Sequence, residues 1–380
     1  MGFALAAILS FAGARYAQAE APSLLVDDLD RESLRLATRR SLQFLERLPP
    51  ERVVGELPRK VTARDVRDSL QLFLRGIGSI GDPQELSEWV KSNFDLYPTT
   101  PAAGRILFTG YYRPVLQASL AETRRFRYPI YGKPKDLIEA AVVTLVPERR
   151  VARVVGRLER DRWLPYFSRA EIDREGKLRG RGYELAWVDD PVERFFLHVQ
   201  GFGVLILRSG ESVGVTYAAS NGRPYRSVGK ALSDLGKIPI EEVTMQRLKR
   251  YLREHPEERE PLMETNERYV FFRFTKDGAL GSLGVPLTPG RSVATDPRFY
   301  PQAALLFILT NEPELDWSGN PMGWRSVRRF VLGQDAGAAI QGPGRIDLYF
   351  GTGERAGSAA GVMKSAGAAY VLMKKAAPTQ

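Results

Sequence analysis

The chain has no cysteine and only two histidines, His198 and His255. The first absence excludes a disulfide framework, a thiolate nucleophile, a cysteine-bound zinc and a lipid-modified cysteine. The second leaves little from which to build a transition-metal site. Beyond the first residues no stretch approaches the roughly 18 uninterrupted apolar residues that a membrane span requires. There is no G-x-x-x-x-G-K-[ST] loop for nucleotide phosphates, no repeat of fixed period and no low-complexity linker.

What is present is the composition of a globular protein. The 380 residues are 43% hydrophobic and 26% charged, enough for one large or two ordinary domains with a packed core. The formal net charge is +10, with lysine and arginine spread along the whole chain. That distribution speaks against a dedicated nucleic-acid arm and for a generally basic surface that attracts acidic polymers. At the N-terminus, Phe3 to Ala14 are apolar or small, and Ala17-Gln18-Ala19 offers an A-x-A cleavage site before Glu20. This is the layout of a secretory signal over residues 1–19, short of a basic n-region, and it implies export.

Between Asp30 and Tyr97 the pattern is helical. Leu34, Ala37, Ser41 and Leu45 share a face; Thr62 and Asp65 form a capping box before Val66, Leu70 and Phe73; Asp82-Pro83 caps a third helix carrying Leu86, Trp89 and Val90. After Pro98 strands dominate: Arg105–Tyr112, Tyr128–Tyr131, Glu184–Val188, Phe195–Val199, Val204–Leu207 and Ser212–Ala219. Helices are expected again at Val228–Leu235 and Met245–Arg253. The last third reads as strands at Tyr269–Phe274, Val285–Leu287, Ser292–Ala294, Ala304–Leu309, Arg328–Leu332, Ile346–Phe350 and Ala369–Met373. Short strands with glycine-rich turns point to a closed barrel or sandwich, and any second domain to an insertion between strands.

Two motif matches fail on context. Gly210-Glu211-Ser212-Val213-Gly214 fits G-x-S-x-G, but Val215-Thr216-Tyr217 continues as strand where a helix is needed. His255, in a charged stretch, is expected in solvent. Gly351 to Ala356 resembles a dinucleotide loop without the β-α-β surroundings. What remains is carboxylate chemistry between Asp335 and Gly351. There, strand alternation sets Arg345, Asp347 and Tyr349 on one face and Ile346, Leu348 and Phe350 on the other. Asp347 could be a salt-bridged strand residue beside Arg345, or an acid whose pKa is raised in a cleft lined by glycine and alanine. Asp335 could be a second acid or an anchor for neighbouring backbone.

At these residues the sequence resembles the membrane-bound lytic murein transglycosylase A family. The resemblance runs from about Arg105 to Met373 in ordered blocks. They include Phe108-Thr109-Gly110-Tyr111-Tyr112-Arg113-Pro114, Val199-Gln200-Gly201-Phe202-Gly203, Tyr217 to Gly222 with Tyr225 to Gly229, and Asp335 to Gly353. It implies a mainly β fold with N-terminal helices: a double-psi β-barrel domain, a second β-rich domain inserted in it, and a groove between the two. By analogy the barrel domain takes 20–114 and 264–380, and the inserted substrate-binding domain 115–263.

The implied activity is that of a periplasmic lytic exotransglycosylase, a lyase acting on polysaccharide. It cuts the β-1,4 bond between N-acetylmuramic acid and N-acetylglucosamine in peptidoglycan, and leaves 1,6-anhydromuramoyl ends. By matching position Asp347 is the catalytic acid and then base, and Asp335 supports it. Thr109, Gly110, Tyr111, Gln200, Gly201, Tyr225 and Tyr349 border the groove. No cofactor or metal is implied, and no nucleic acid. The partners expected are glycan strands and cell-wall synthesis or division complexes. Two other readings stand beside this one: a peptidoglycan hydrolase using two carboxylates, and a non-catalytic glycan-binding protein.

Overall fold

A computed structural model describes residues 22–99, 104–144, 150–276 and 278–376; the expected signal at 1–19 lies outside them. The first helices form where capping chemistry demands them. In α1 (Arg31–Leu45) the Asp30 carboxylate accepts from Ser33 N, and Leu34, Ala37, Ser41 and Leu45 are buried. A short hairpin, β1 (Val53–Glu56) and β2 (Lys60–Thr62), leads into α2 (Ala63–Ser79), which opens on the Thr62–Asp65 capping box. Asp82 and Pro83 then start α3 (Pro83–Asn93), followed by β3 (Phe94–Pro98) and β4 (Ile106–Arg113).

Pro114 is the only residue between β4 and β5 (Val115–Ser119), where the chain passes to a second sheet. Next along the chain come β6 (Tyr128–Tyr131), a separate antiparallel meander of β7 (Ile138–Thr144), β8 (Arg150–Glu159) and β9 (Arg162–Pro165), then α4 (Arg169–Asp173) and β10 (Glu184–Val188). After these come α5 (Pro191–Gln200), β11 (Phe202–Leu207), β12 (Ser212–Ser220), α6 (Val228–Asp234), α7 (Met245–Glu254), α8 (Pro256–Glu264) and β13 (Val270–Thr275). The final third holds β14 (Ser292–Ala294), β15 (Leu305–Leu315), β16 (Pro321–Asp335), β17 (Arg345–Thr352), α9 (Glu354–Val362) and β18 (Lys364–Lys374).

Six strands close a barrel in the order β15, β16, β14, β17, β4, β18 and back to β15, with β3 added outside β18. Two neighbouring pairs are parallel, β14 with β16 and β17 with β4; the other four are antiparallel. This is the expected double-psi barrel, and closure leaves no open edge among its six strands. Phe108, Val293, Phe307, Phe330, Ile346 and Leu348 are all fully buried in one core with the faces of α1 and α2.

The second sheet runs β13, β12, β11, β5, β10, β6, and a parallel bridge from Gly132 to Phe272 brings its two ends together. It is inserted between β4 and β14, and β13 lies beyond the expected boundary at residue 263.

The N-terminal helices are clamped to the barrel by ions withdrawn from water. Arg291, fully buried, reaches Asp27 through two contacts of 2.7 and 2.8 Å and donates to the carbonyls of Phe330 and Asp30. Arg329, 1% exposed, pairs with Asp28.

Three sequence expectations are corrected. Phe195–Val199 is not a strand but part of α5: Asp190 caps it, Pro191 occupies its first turn, and Val192, Phe195, Phe196 and Leu197 are buried. A short apolar run carries no period to separate buried helix from buried strand. Val285–Leu287 forms no strand either. It is a loop held by a single bridge between Leu280 and Pro286. His255 is half-buried, its ring stacked on Tyr251 at 4.0 Å, where solvent was expected.

Candidate active site

Strand register brings the two predicted acids to one level of the barrel wall. Asp347 in β17 pairs with Thr109 in β4 on one side and with Ala294 in β14 on the other. Ala294 in turn pairs with Asp335 in β16. A bulge makes this possible: Val293 faces Gly333 and Ala294 faces Asp335, so Gln334 is the extra residue. Gln334 is itself fully buried. Its amide donates to Ala37 O and Ser41 Oγ and accepts from Ser292 Oγ, which fixes the bulge against α1.

Asp347 lines a cavity of about 640 Å³ that the barrel and the second sheet enclose between them. Its side chain is 15% exposed, and its Oδ1 is buried without a hydrogen-bond partner. Burial pushes its pKa up to about 6; Arg345, at 3.9 Å, pulls against that shift, and Asp335 adds to it. The carboxyl is therefore poised to hold a proton or release it near neutral pH. Asp335 is also pushed up to about 6 by burial, but its Oδ1 accepts from the amides of Ser282 and Ala336, both at 2.8 Å. One acid is free for chemistry. The other is tied to backbone.

The remaining predicted residues divide between groove and support. Tyr111 lines the cavity, with its hydroxyl buried beside Asp335 and its ionisation pushed far up by burial and by both carboxyls. Its ring meets Tyr349 at 5.3 Å and Phe202, from the second sheet, at 6.0 Å. Tyr349 lies beneath Tyr111, 2% exposed, outside the cavity wall. Tyr225 lines the wall of the inserted unit, close enough to Arg345 and Asp347 to feel both charges.

Gln200 and Gly201 stand at the end of α5. The Gln200 side-chain Oε1 accepts from Tyr112 N at 3.1 Å, which ties the inserted unit to β4. Gly201 terminates the helix at φ 80°, a left-handed conformation that suits glycine. Gly110 borders the groove through its backbone, since a Cβ there would point at α9, 2.8 Å from Ala360 Cα. Thr109 stands outside the cavity lining, with its hydroxyl 3.4 Å from Arg345.

Sequence reading passed over several residues of the site. Arg345 appeared there only as an ion-pair partner. It also donates to Ala339 O at 3.2 Å and so holds the loop after Asp335 over the acid. Asp296 accepts from Gly342 N at 2.8 Å, fastening that same loop to the end of β14. Arg169, His198, Tyr217, Arg268 and Arg273 line the opposite wall; Arg169 and Tyr217 lie in blocks of the resemblance without having been assigned to the groove, and the other three belong to no pattern that would have marked them. Among the described residues no cluster of His, Cys, Asp and Glu could hold a metal ion, and no helix is long and apolar enough to cross a membrane.

Residues 107–273 match the MltA specific insert domain, and residues 291–373 match the 3D domain. The chain is 33% identical over 319 residues to membrane-bound lytic murein transglycosylase A of Escherichia coli strain K12, covering 83% of this chain and 76% of that protein. It is 30% identical over 314 residues to the protein of the same name from Vibrio cholerae, covering 78% and 76%. Among solved structures, it is similar to a membrane-bound lytic murein transglycosylase from Agrobacterium tumefaciens, with a TM-score of 0.75, 29% identity, and 91% and 93% of the two chains covered. It is also similar to E. coli MltA with bound chitohexaose, with a TM-score of 0.70, 28% identity, and 94% and 93% covered.

Proposed function

The chain belongs to the membrane-bound lytic murein transglycosylase A family of peptidoglycan-cleaving lyases, and we propose that it cuts glycan strands with Asp347 as its single acid and base. The observation that carries this reading is a carboxyl with a pKa raised to about 6 and an unpartnered oxygen, lining a groove between two β-domains. At pH 7 roughly a tenth of such a group is protonated, about a hundredfold more than for a carboxyl at 3.8.

The protonated Asp347 gives its proton to the glycosidic oxygen as the bond from C1 of the muramoyl residue breaks. The carboxylate then takes the proton of the C6 hydroxyl as that oxygen bonds to C1. No water is consumed, and a 1,6-anhydro end is left. One carboxyl suffices because the nucleophile belongs to the substrate and is already close. Asp335, held by the amides of Ser282 and Ala336, orients the loop around the site. Tyr111 and Tyr225 bear on the sugar, Gln200 and Gly201 form the facing lip, and Thr109, Gly110 and Tyr349 act through the strands they hold. The A-x-A segment at 17–19 and the glycan substrate support export to the periplasm.

A two-carboxylate hydrolase would need its acids on opposite sides of the bond. Here both acids lining the cavity sit on the barrel wall, two strands or roughly 10 Å apart at Cα. The facing wall carries Tyr217, Tyr225, Arg268 and Arg273 instead. Mass spectrometry of products released from isolated sacculi separates the readings. Lytic action gives muropeptides one water lighter than those with reducing ends; reducing ends would mean a hydrolase.

A further inference from the structure

The wall facing Asp347 carries cationic groups that the reaction does not use. Arg268, just before β13, and Arg273, within it, both line the cavity. Among the described residues neither guanidinium has a carboxylate at ion-pairing distance. The nearby Glu267 is engaged by Arg223, and the only acids in the cavity lining are Asp335 and Asp347 across the groove. Arg268 is half-buried; burial pulls its pKa down, and only the Tyr217 hydroxyl opposes that. Its neighbours are a hydrogen bond with the Tyr217 side chain and a long one, 3.5 Å, to the carbonyl of Arg223, and neither is a carboxylate. A cation withdrawn from water without a counter-charge is costly unless something arrives to pair with it.

A second, independent observation lies in the same wall. His198 lines the cavity and is 4% exposed. Burial, with Arg169 and Arg194 nearby, holds its pKa well below the usual value, so the ring is neutral. Its Nδ1 accepts from Val270 N at 3.4 Å, which places the proton on Nε2, and Nε2 is buried with no partner. A buried donor left unmatched in this way is the complement of an acceptor that the protein does not supply.

The geometry points to a carboxylate subsite on this wall, in which Arg268 and Arg273 receive an acidic group branching from the muramoyl residue of the strand. Guanidinium forks suit that ligand because they bind a carboxylate through two parallel hydrogen bonds. The inference rests on the proposed glycan substrate and deepens it: this groove distinguishes muramoyl strands from neutral chitin-type chains by charge. The carboxylate has two sources, the free lactyl group of strands without peptides and the stem peptide of strands that carry them.

The test measures binding in an Asp347→Asn background, so that strands are not cut, with three probes: neutral chitohexaose, peptide-free glycan oligomers, and peptide-bearing oligomers. Arg268→Gln and Arg273→Gln are each expected to weaken the acidic probes tenfold or more and to leave chitohexaose within twofold. Arg273→Lys should keep part of the preference. A loss on peptide-free oligomers assigns the lactyl carboxylate; a loss confined to peptide-bearing oligomers assigns the stem. Equal loss on all three probes, or no loss on either acidic one, overturns the subsite. Because Arg273 is exposed, its variant stands even where Arg268→Gln fails to fold. Product chemistry is read separately with the unaltered site, so reducing ends there would defeat the lytic mechanism and leave the charge preference to be judged by binding.

Discussion

Asp335 and Asp347 share one strand neighbour, Ala294, which pairs with Asp347 on one side and Asp335 on the other. The two carboxyls therefore face the groove from the same wall, with only a methyl group between them. The charge of Asp335 raises the cost of ionising Asp347 in this buried site.

This arrangement has a consequence for stability. The Asp347 carboxyl sits at about 6 in the fold against 3.8 for the ordinary group. A folded pKa raised in this way leaves stability intact below about pH 4 and removes it as pH rises through about 6. Asp347→Asn should then be more stable than the parent above pH 6, by up to about 3 kcal/mol, with the gain vanishing near pH 4. Chemical denaturation at pH 4 and pH 7.5 checks this. A variant less stable at pH 7.5 contradicts the account.

Arg345 is the group that restrains the pKa of Asp347. Arg345→Met should move the alkaline limb of kcat/KM upward in pH, because the protonated acid then persists to higher pH. The variant also loses the tie to Ala339 O, so a fall in the plateau rate is expected as well. An unchanged limb would show that another group sets the profile.

The sequence made some of this visible and hid the rest for identifiable reasons. The first three helices were legible because Asp30, Thr62 with Asp65, and Asp82 with Pro83 announce their own starts. Alternation put Asp347 on a polar face among small residues and left an ion pair with Arg345 open; it was the family resemblance that singled it out as the acid. The α5 helix was misread, since Phe195 to Val199 is apolar but for His198 and buried but for Val199. Helix α9 escaped notice because glycines 357 and 361 weaken its helical signal. They are required by packing: a Cβ at Gly357 would lie 2.8 Å from the Tyr112 ring. The cationic wall was invisible because Arg268 and Arg273 gain meaning only once β13 is folded opposite β17.

Gly110 offers a test of how closely the site depends on that packing. A Cβ there meets the Phe350 ring at 2.7 Å and Met363 Cβ at 3.0 Å as well as the backbone of α9. Gly110→Ala should destabilise the protein by about 1–3 kcal/mol and lower activity, because β4 cannot retreat without moving Tyr111. Thermal melting and product formation measured together would reveal it; an unaltered melting temperature would contradict the close approach.

Gln200 joins the two walls through Tyr112 N. Gln200→Leu strands that amide and should cost about 1–3 kcal/mol, with a larger effect on KM than on kcat if the groove loosens. A normal KM would place the tie outside substrate binding.

The central claim is that Asp347 alone supplies both the acid and the base, and Asp347→Asn beside the parent protein tests it most directly. Release of 1,6-anhydro products from sacculi should fall by about 10³-fold or more, while chitohexaose binding stays within twofold of the parent. Products formed by Asp347→Asn at a tenth of the parent rate or faster would contradict the account and move the chemistry to another group in the groove.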